Sequence, residues 1–441
     1  MRGGTTTALG ALSGLGSSST STSRGARISQ LVVSLKTSAA TAQRPLLELL
    51  GERTKSATAI TTFWISNQLL IVNASIELVR TLELEHGSSI AEIREEQILT
   101  MGNFNVERAD VISGVDAVAD ANVLTWSVGK IGAKAVWAKG FVGVNVTVAT
   151  IDTGVRVSHE ALRENYRGDY GWFDPESKSA VPYDSSGHGT HVMGLIAGAE
   201  GIGVAPGAKW IACRGCRSAS TCLESSLLAC AQFVLCPTDS KGGKADCSKA
   251  PHVVNNSWGV IRGSTATLTA VIAAWQAAGI IPVFSIGNSG SSKTCGTVVS
   301  PGDMANVIGV GATNYNDMLL PESSTGPSVD GRIKPDIVAP GVRIYSAWWT
   351  RDNVYTITSG TSVASPHVTG AAALLLSAKP ELTYEKVWTA LATTATRDED
   401  LESNAALHAS CGNISSSTHP NNIFGFGRLN IQLALAQVEN D

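Results

Sequence analysis

The chain has 441 residues, 43% of them hydrophobic and 16% charged, with a formal net charge of -4. That length supports one large domain or two smaller ones, and mild acidity argues against a nucleic-acid binder, which carries clustered Lys and Arg. No unbroken apolar run reaches the roughly 20 residues that cross a bilayer. The longest candidate, Val271 to Ile286, is interrupted by Gln276, Gly279 and Pro282.

Residues 1–27 are rich in Gly, Ser and Thr and read as a disordered leader without the apolar core of a secretory signal. Ile28 to Leu35 is predicted as a strand, and Pro45 to Ala57 as a helix with proline in its first turn. Phe63 to Val72, rich in aromatic and branched residues, reads as a second strand. Ser75 caps a predicted helix to Leu84, with Ile76, Val79, Leu82 and Leu84 along one stripe. Ile90 to Ile93 closes the unit as a last strand. The resulting βαββαβ order predicts a small ferredoxin-like α+β domain over residues 28–102. A polar, Asp-containing stretch over 103–125 then reads as an exposed linker.

From Trp126 to Asp441 strands and helices alternate. Val144 to Ile151 is nearly all apolar, as a buried parallel strand requires, and Ala208–Cys213, Val253–Ser257, Ile280–Ile286 and Val307–Ala312 are further strand candidates. Helical segments such as Leu268 to Ala278 separate them. This order implies a mostly parallel sheet covered on both faces, a three-layer α/β/α domain with its functional groups at the carboxyl ends of the strands.

All eight cysteines lie between Cys213 and Cys411, and six of them crowd into Cys213 to Cys247. An even, clustered set suggests disulfides and an oxidising compartment. The competing reading is zinc, from the C-x-x-C spacing of Cys213 and Cys216, but no second pair completes four ligands. Four N-x-S/T sequons, at Asn73, Asn145, Asn255 and Asn413, are weak signals by themselves.

Three segments carry chemistry. Asp152 follows the strand ending at Ile151 and opens Asp152-Thr153-Gly154, which alone reads as a turn. His188 is flanked by glycines in Ser186-Gly187-His188-Gly189-Thr190-His191 and precedes an apolar helix; the absence of the Glu of H-E-x-x-H makes a metal site the weaker reading. Ser362 lies in Gly360-Thr361-Ser362-Val363-Ala364-Ser365-Pro366-His367, just before another apolar helix, where a lone serine would read as an N-cap. Together they supply an alcohol, a base to take its proton and a carboxylate to orient the base. The chain order Asp, His, Ser is one of three known for this triad.

These three segments resemble the signatures of the subtilisin-like serine proteases, the subtilase family. Gly203 to Ala212, Val253 to Gly259 and Pro335 to Gly341 are similar to its bacillopeptidase F-like branch, and the likeness runs from about Trp126 to Asn430. It implies a serine endopeptidase with Asp152, His188 and Ser362 as catalytic triad and Asn288, in Ser285-Ile286-Gly287-Asn288, as oxyanion donor. It implies that Ser257, Trp258 and Gly259 bind the substrate backbone and line the first specificity pocket. His191 and His367 are neighbouring signature positions read as structural.

The same resemblance makes the N-terminal unit an inhibitory propeptide that chaperones a slow-folding parallel sheet and is cut off within the linker, the alternative being a permanent accessory domain. No cofactor is implied for the chemistry. The family's calcium loop after the catalytic His is short here, with one carboxylate in Met193 to Gly203, so structural calcium stays unassigned. The expected partners are protein or peptide substrates and the chain's own propeptide, with no nucleic acid and no membrane, the protein acting as a secreted monomer. A catalytically silent, protein-binding pseudoprotease is the rival, although none of the four polar residues is substituted. A lipase or esterase is a second rival, and it lacks its G-x-S-x-G elbow here.

Overall fold

The computed structural model describes residues 23–52, 58–99, 112–113, 125–218, 221–260, 266–291, 294–397 and 410–440, together with 1, 5, 9 and 401. Most of the predicted leader and linker lie outside them.

The N-terminal unit comprises α1 (Arg24–Glu52), an antiparallel hairpin of β1 (Ala59–Phe63) and β2 (Gln68–Val72), and α2 (Ile76–His86). The strand expected at Ile28–Leu35 is part of α1. Ile28, Leu31, Val32 and Leu35 repeat at i, i+3, i+4 and i+7 and are all buried, whereas Val33 is 63% exposed. Helical period therefore wins over the β-branched composition. The same helix passes through Pro45 instead of starting there. Phe63–Val72 is two strands, because residues 64–67 turn, with Asn67 at φ 52°. Ser75 caps α2 as expected, its hydroxyl accepting from the Leu78 amide at 3.1 Å.

No strand forms at Ile90–Ile93. The next one, β3 (Ile98–Leu99), pairs instead with the following unit. Among the described residues the N-terminal order is thus αββα with a two-stranded sheet, not the ferredoxin-like βαββαβ. A short β4 (Ile112–Ser113) follows.

After α3 (Trp126–Lys130) and α4 (Ala133–Ala138) come β5 (Thr147–Asp152), β6 (Trp172–Phe173), α5 (His188–Ala197) and β7 (Lys209–Arg214). A hairpin of β8 (Cys216–Ser218) and β9 (Thr221–Leu223) leads to α6 (Glu224–Leu235). Then follow β10 (Val253–Asn256), α7 (Ala266–Ala277), β11 (Ile281–Ser285), β12 (Ile308–Thr313) and β13 (Ile337–Pro340). The antiparallel pair β14 (Ile344–Ala347) and β15 (Val354–Thr358) precedes α8 (Thr361–Ala378), α9 (Tyr384–Thr393) and α10 (Ile431–Asn440).

Seven strands form a parallel sheet in the order β13-β12-β11-β10-β5-β7-β6. Successive residues of its strands point to opposite faces, and the two faces feed two cores. Val148, Trp210, Val253 and Val283 pack with Val192 of α5, Val368 of α8 and Leu435 of α10. Their neighbours Ala149, Ile211, Val254 and Phe284 pack with Leu227 of α6 and Trp275 of α7. The architecture is three-layer α/β/α. Ile28, Leu31 and Leu35 of α1 and Phe63 of β1 join the second of these cores. The N-terminal unit therefore covers the outer face of α6 rather than standing apart.

Further contacts tie it down. β3 adds antiparallel to β9, extending the β8–β9 hairpin. Arg94 donates from both terminal nitrogens to the two Glu224 oxygens, and the amides of Trp64 and Ile65 donate to Gln232 Oε1 at 2.8 and 3.4 Å. Arg24 donates to the carbonyls of Ala250 and Pro251.

All eight cysteines are paired: Cys213–Cys230, Cys216–Cys222, Cys236–Cys247 and Cys295–Cys411. Cys213 and Cys216 thus serve two separate bridges, which removes the zinc reading of their spacing.

Candidate active site

The carboxyl edge of the sheet gathers the predicted residues. Asp152 is the last residue of β5, and Ser257 and Asn288 come directly after β10 and three residues after β11. His188 and Ser362 arrive on the first turns of α5 and α8, which pack on one face of the sheet.

His188 Nδ1 donates to Asp152 Oδ1 at 2.7 Å, and both side chains are buried. The Thr153 amide donates to the same oxygen at 2.8 Å. With its Nδ1 proton engaged by a carboxylate, the neutral ring carries its lone pair on Nε2. Gly189 explains how strand end and helix start come so close: a Cβ there would collide with the Gly154 carbonyl and lie 3.1 Å from the Asp152 carboxylate.

Ser362 is 1% exposed, and its hydroxyl makes no hydrogen bond among the described residues. Its carbonyl accepts from Ser257 Oγ at 2.8 Å, and Ser257 in turn accepts from Asn255 Nδ2. Asn288 Oδ1 accepts from both the amide and the hydroxyl of Thr361, at 2.9 and 2.8 Å. Because an N–H must meet oxygen, this pair of donors sets the amide orientation and turns Nδ2 the other way. Gly360, at φ 149°, faces the result. A Cβ on it would stand 3.3 Å from Asn288 Nδ2 and 3.3 Å from Ser362 Oγ, so amide and hydroxyl border one small space that the missing side chain leaves open.

The remaining signature residues play supporting parts. Burial, helped by the neighbouring His188, pushes the buried His191 down to about 3. Burial pushes His367 down to about 4. Both are neutral at ordinary pH, His191 Nε2 meeting the Ile344 carbonyl and His367 Nδ1 the Val363 carbonyl. Trp258 turns inward: its ring packs edge-on against Phe284 and its Nε1 donates to the Ile151 carbonyl at 3.0 Å. Ser257 and Trp258 are buried as whole residues, and Gly259 lies beside Val299.

Sequence reasoning passed over Thr153, Thr361 and Asp184. The two threonines sit inside the signatures, but what they bond to is remote in sequence or hidden by the turn. Asp184 lies just before the His segment with no pattern of its own.

Residues 143–427 match the subtilase family. Over 433 aligned residues the chain is 32% identical to bacillopeptidase F of Bacillus subtilis (strain 168), covering 93% of this chain and 29% of that protein. It is 35% identical to subtilisin DY of Bacillus licheniformis over 280 residues, 63% of this chain and 93% of that one. Subtilase-type proteinase psp3 of Schizosaccharomyces pombe is 37% identical over 245 residues, 56% of this chain and 50% of that one. The chain belongs to the subtilase family, the family of the subtilisin-like serine peptidases. It spans less than a third of the length of bacillopeptidase F but most of that of subtilisin DY. Subtilases need no catalytic cofactor.

Proposed function

We propose that this protein is a secreted serine endopeptidase made as a zymogen. Ser362 attacks the scissile carbonyl while His188 Nε2 takes its proton and later passes it to the leaving amine. Asp152 holds the imidazole in the tautomer that leaves Nε2 basic and balances the cation that forms. Asn288 Nδ2 donates to the oxygen that becomes negative as the carbonyl turns tetrahedral. These steps are the established ones of subtilisin, and the observation that carries them over is the Asp152–His188 hydrogen bond together with the space shared by Ser362 Oγ and Asn288 Nδ2.

An extended peptide lies against the backbone of Ser257 to Gly259, which suits broad selectivity because main-chain hydrogen bonds are blind to side chains. The N-terminal unit acts as the inhibitory propeptide. Its β3 lengthens the β8–β9 hairpin, and its seam with α6 is held by Arg94, Trp64 and Ile65. Cleavage falls within 103–125. Secretion is supported by four disulfides, and no helix among the described residues is long and apolar enough to cross a membrane.

The test is labelling and processing side by side. Wild type should react with a fluorophosphonate at Ser362, digest casein and lose its first hundred-odd residues. Ser362→Ala should do none of these and stay full length. A folded wild type inert to the fluorophosphonate would instead establish the silent binding protein, and equal trimming of both chains would remove self-processing.

A further inference from the structure

We propose that Asp184 is a positioning residue for the peptidase reaction, fixing the Asp152 strand end against the His188 helix start; this rests on the serine-peptidase reading above. Asp184 is 6% exposed and stands where the loop after β6 meets the first turn of α5. Its two oxygens collect five donors. Oδ1 accepts from Thr153 Oγ1 at 2.8 Å, the Ser186 amide at 2.9 Å and the Gly187 amide at 2.8 Å. Oδ2 accepts from the Thr190 amide at 2.8 Å and the Thr190 hydroxyl at 2.6 Å.

The consequence lies in which way the two hydroxyls point. Each has one proton. Thr153 Oγ1 is 3.4 Å from Asp152 Oδ1 but 2.8 Å from Asp184, so its proton goes to Asp184 and its lone pairs face the Gly189 amide, which donates at 3.0 Å. Thr190 Oγ1 gives its proton to Asp184 and accepts from the Arg156 amide at 3.0 Å. One carboxylate therefore ties the residue after Asp152 to the residue after His188, and the turn of α5 to the chain beyond Gly154. Backbone contacts run alongside: Ser185 donates to the Thr153 carbonyl and Val155 to that of Tyr183. The negative charge sits at the N-terminal end of α5, where the helix dipole favours it.

The chemistry is specific to a carboxylate. Asparagine has the same shape, yet it must turn an NH2 toward either the Thr190 pair or the Thr153, Ser186 and Gly187 set. Donor then faces donor at one end, and the link between strand and helix loosens. A misplacement of order 1 Å between reacting groups costs up to about 100-fold in rate.

The experiment compares processed wild type, Asp184→Asn, Thr153→Val and the double variant on a chromogenic peptide, with active sites counted by fluorophosphonate titration. Expected for Asp184→Asn is a kcat per titrated site about 10- to 100-fold lower with KM within about twofold, a loss in the step after binding. Thr153→Val, which keeps the carboxylate and removes the link, should lose kcat in the same way, and the double variant should lose less than the product of the two, as residues of one network do. A kcat per titrated site equal to wild type, with only the number of sites reduced, would make Asp184 a folding residue and overturn the proposal. Multiplicative losses in the double variant would equally overturn the linkage. If Asp184→Asn yields no folded enzyme, Thr153→Val alone decides. A wild type inert to the fluorophosphonate would sink the peptidase reading and this proposal with it, whereas a reactive wild type beside an unimpaired variant sinks this proposal alone.

Discussion

Asn288 is held by Thr361: one side-chain oxygen accepts both the backbone amide and the hydroxyl of the residue preceding Ser362. The donor end of the amide is thus aimed before any substrate arrives, by a residue that rides on the same helix turn as Ser362, the proposed nucleophile. A preorganised dipole of this kind needs no rearrangement when charge develops.

The first prediction follows from that pair. Asn288→Ala should lower kcat about 100- to 1000-fold with little change in KM, a magnitude that belongs to subtilisin and is carried over to this relative. Thr361→Val, which keeps the amide donor and loses the hydroxyl, should lower it less. Steady-state kinetics on a peptide substrate checks the order of the two.

A second concerns Gly360. Its φ of 149° favours glycine, and a methyl group there would fill the space between Asn288 Nδ2 and Ser362 Oγ. Gly360→Ala should therefore abolish most turnover while costing about 1–3 kcal/mol of stability from backbone strain. Calorimetry and kinetics on one preparation separate the two effects; full activity in a folded variant would refute the placement.

The bridges rank by the loops they close. Cys295 and Cys411 are 116 residues apart, Cys216 and Cys222 only 6. In the chain-entropy view removing the first costs about 4–5 kcal/mol and the second about 2. Urea unfolding of the paired Ala variants tests this ranking, and thiol titration of the untreated protein should find almost no free cysteine.

Acid should loosen the N-terminal unit. Burial, and then the Arg24 guanidinium, push His252 down to about 4, and its Nδ1 accepts from the Thr147 amide at 3.0 Å. Arg167 acts in the same direction. Since the folded value lies below the ordinary 6.5, the unfolded or undocked state binds the extra proton, and stability falls as pH drops from about 6.5 toward 4. In full-length Ser362→Ala, amide exchange in α1, corrected for intrinsic rates, should rise between pH 7 and pH 5. His252→Gln should flatten that rise; an unchanged slope would free His252 of the effect.

Local chemistry made much of this legible. Strands such as Ile281–Ser285 announce themselves as short apolar runs, and Ser75 caps its helix by a bond three residues away. The N-terminal unit departs from the expected order where composition and period disagree. Ile28–Leu35 contains β-branched residues yet repeats like a helix, and its buried stripe meets α6, some two hundred residues later, so nothing nearby in the chain reveals what that stripe is for. The last strand expected at Ile90–Ile93 appears instead at Ile98–Leu99 because its partner is β9, outside its own unit.

Sequence by itself determined the chemical repertoire: which residues carry an acid, an imidazole, an alcohol and an amide, and in what chain order. It did so because those signatures are local, with small residues required wherever backbone must pass close to a reactive group. Only the tertiary structure decided that Asp184 gathers five donors, that Trp258 faces the core, that Thr361 aims Asn288 and which cysteines pair. Each of those depends on directions and distances between segments far apart along the chain, and neither composition nor spacing encodes them.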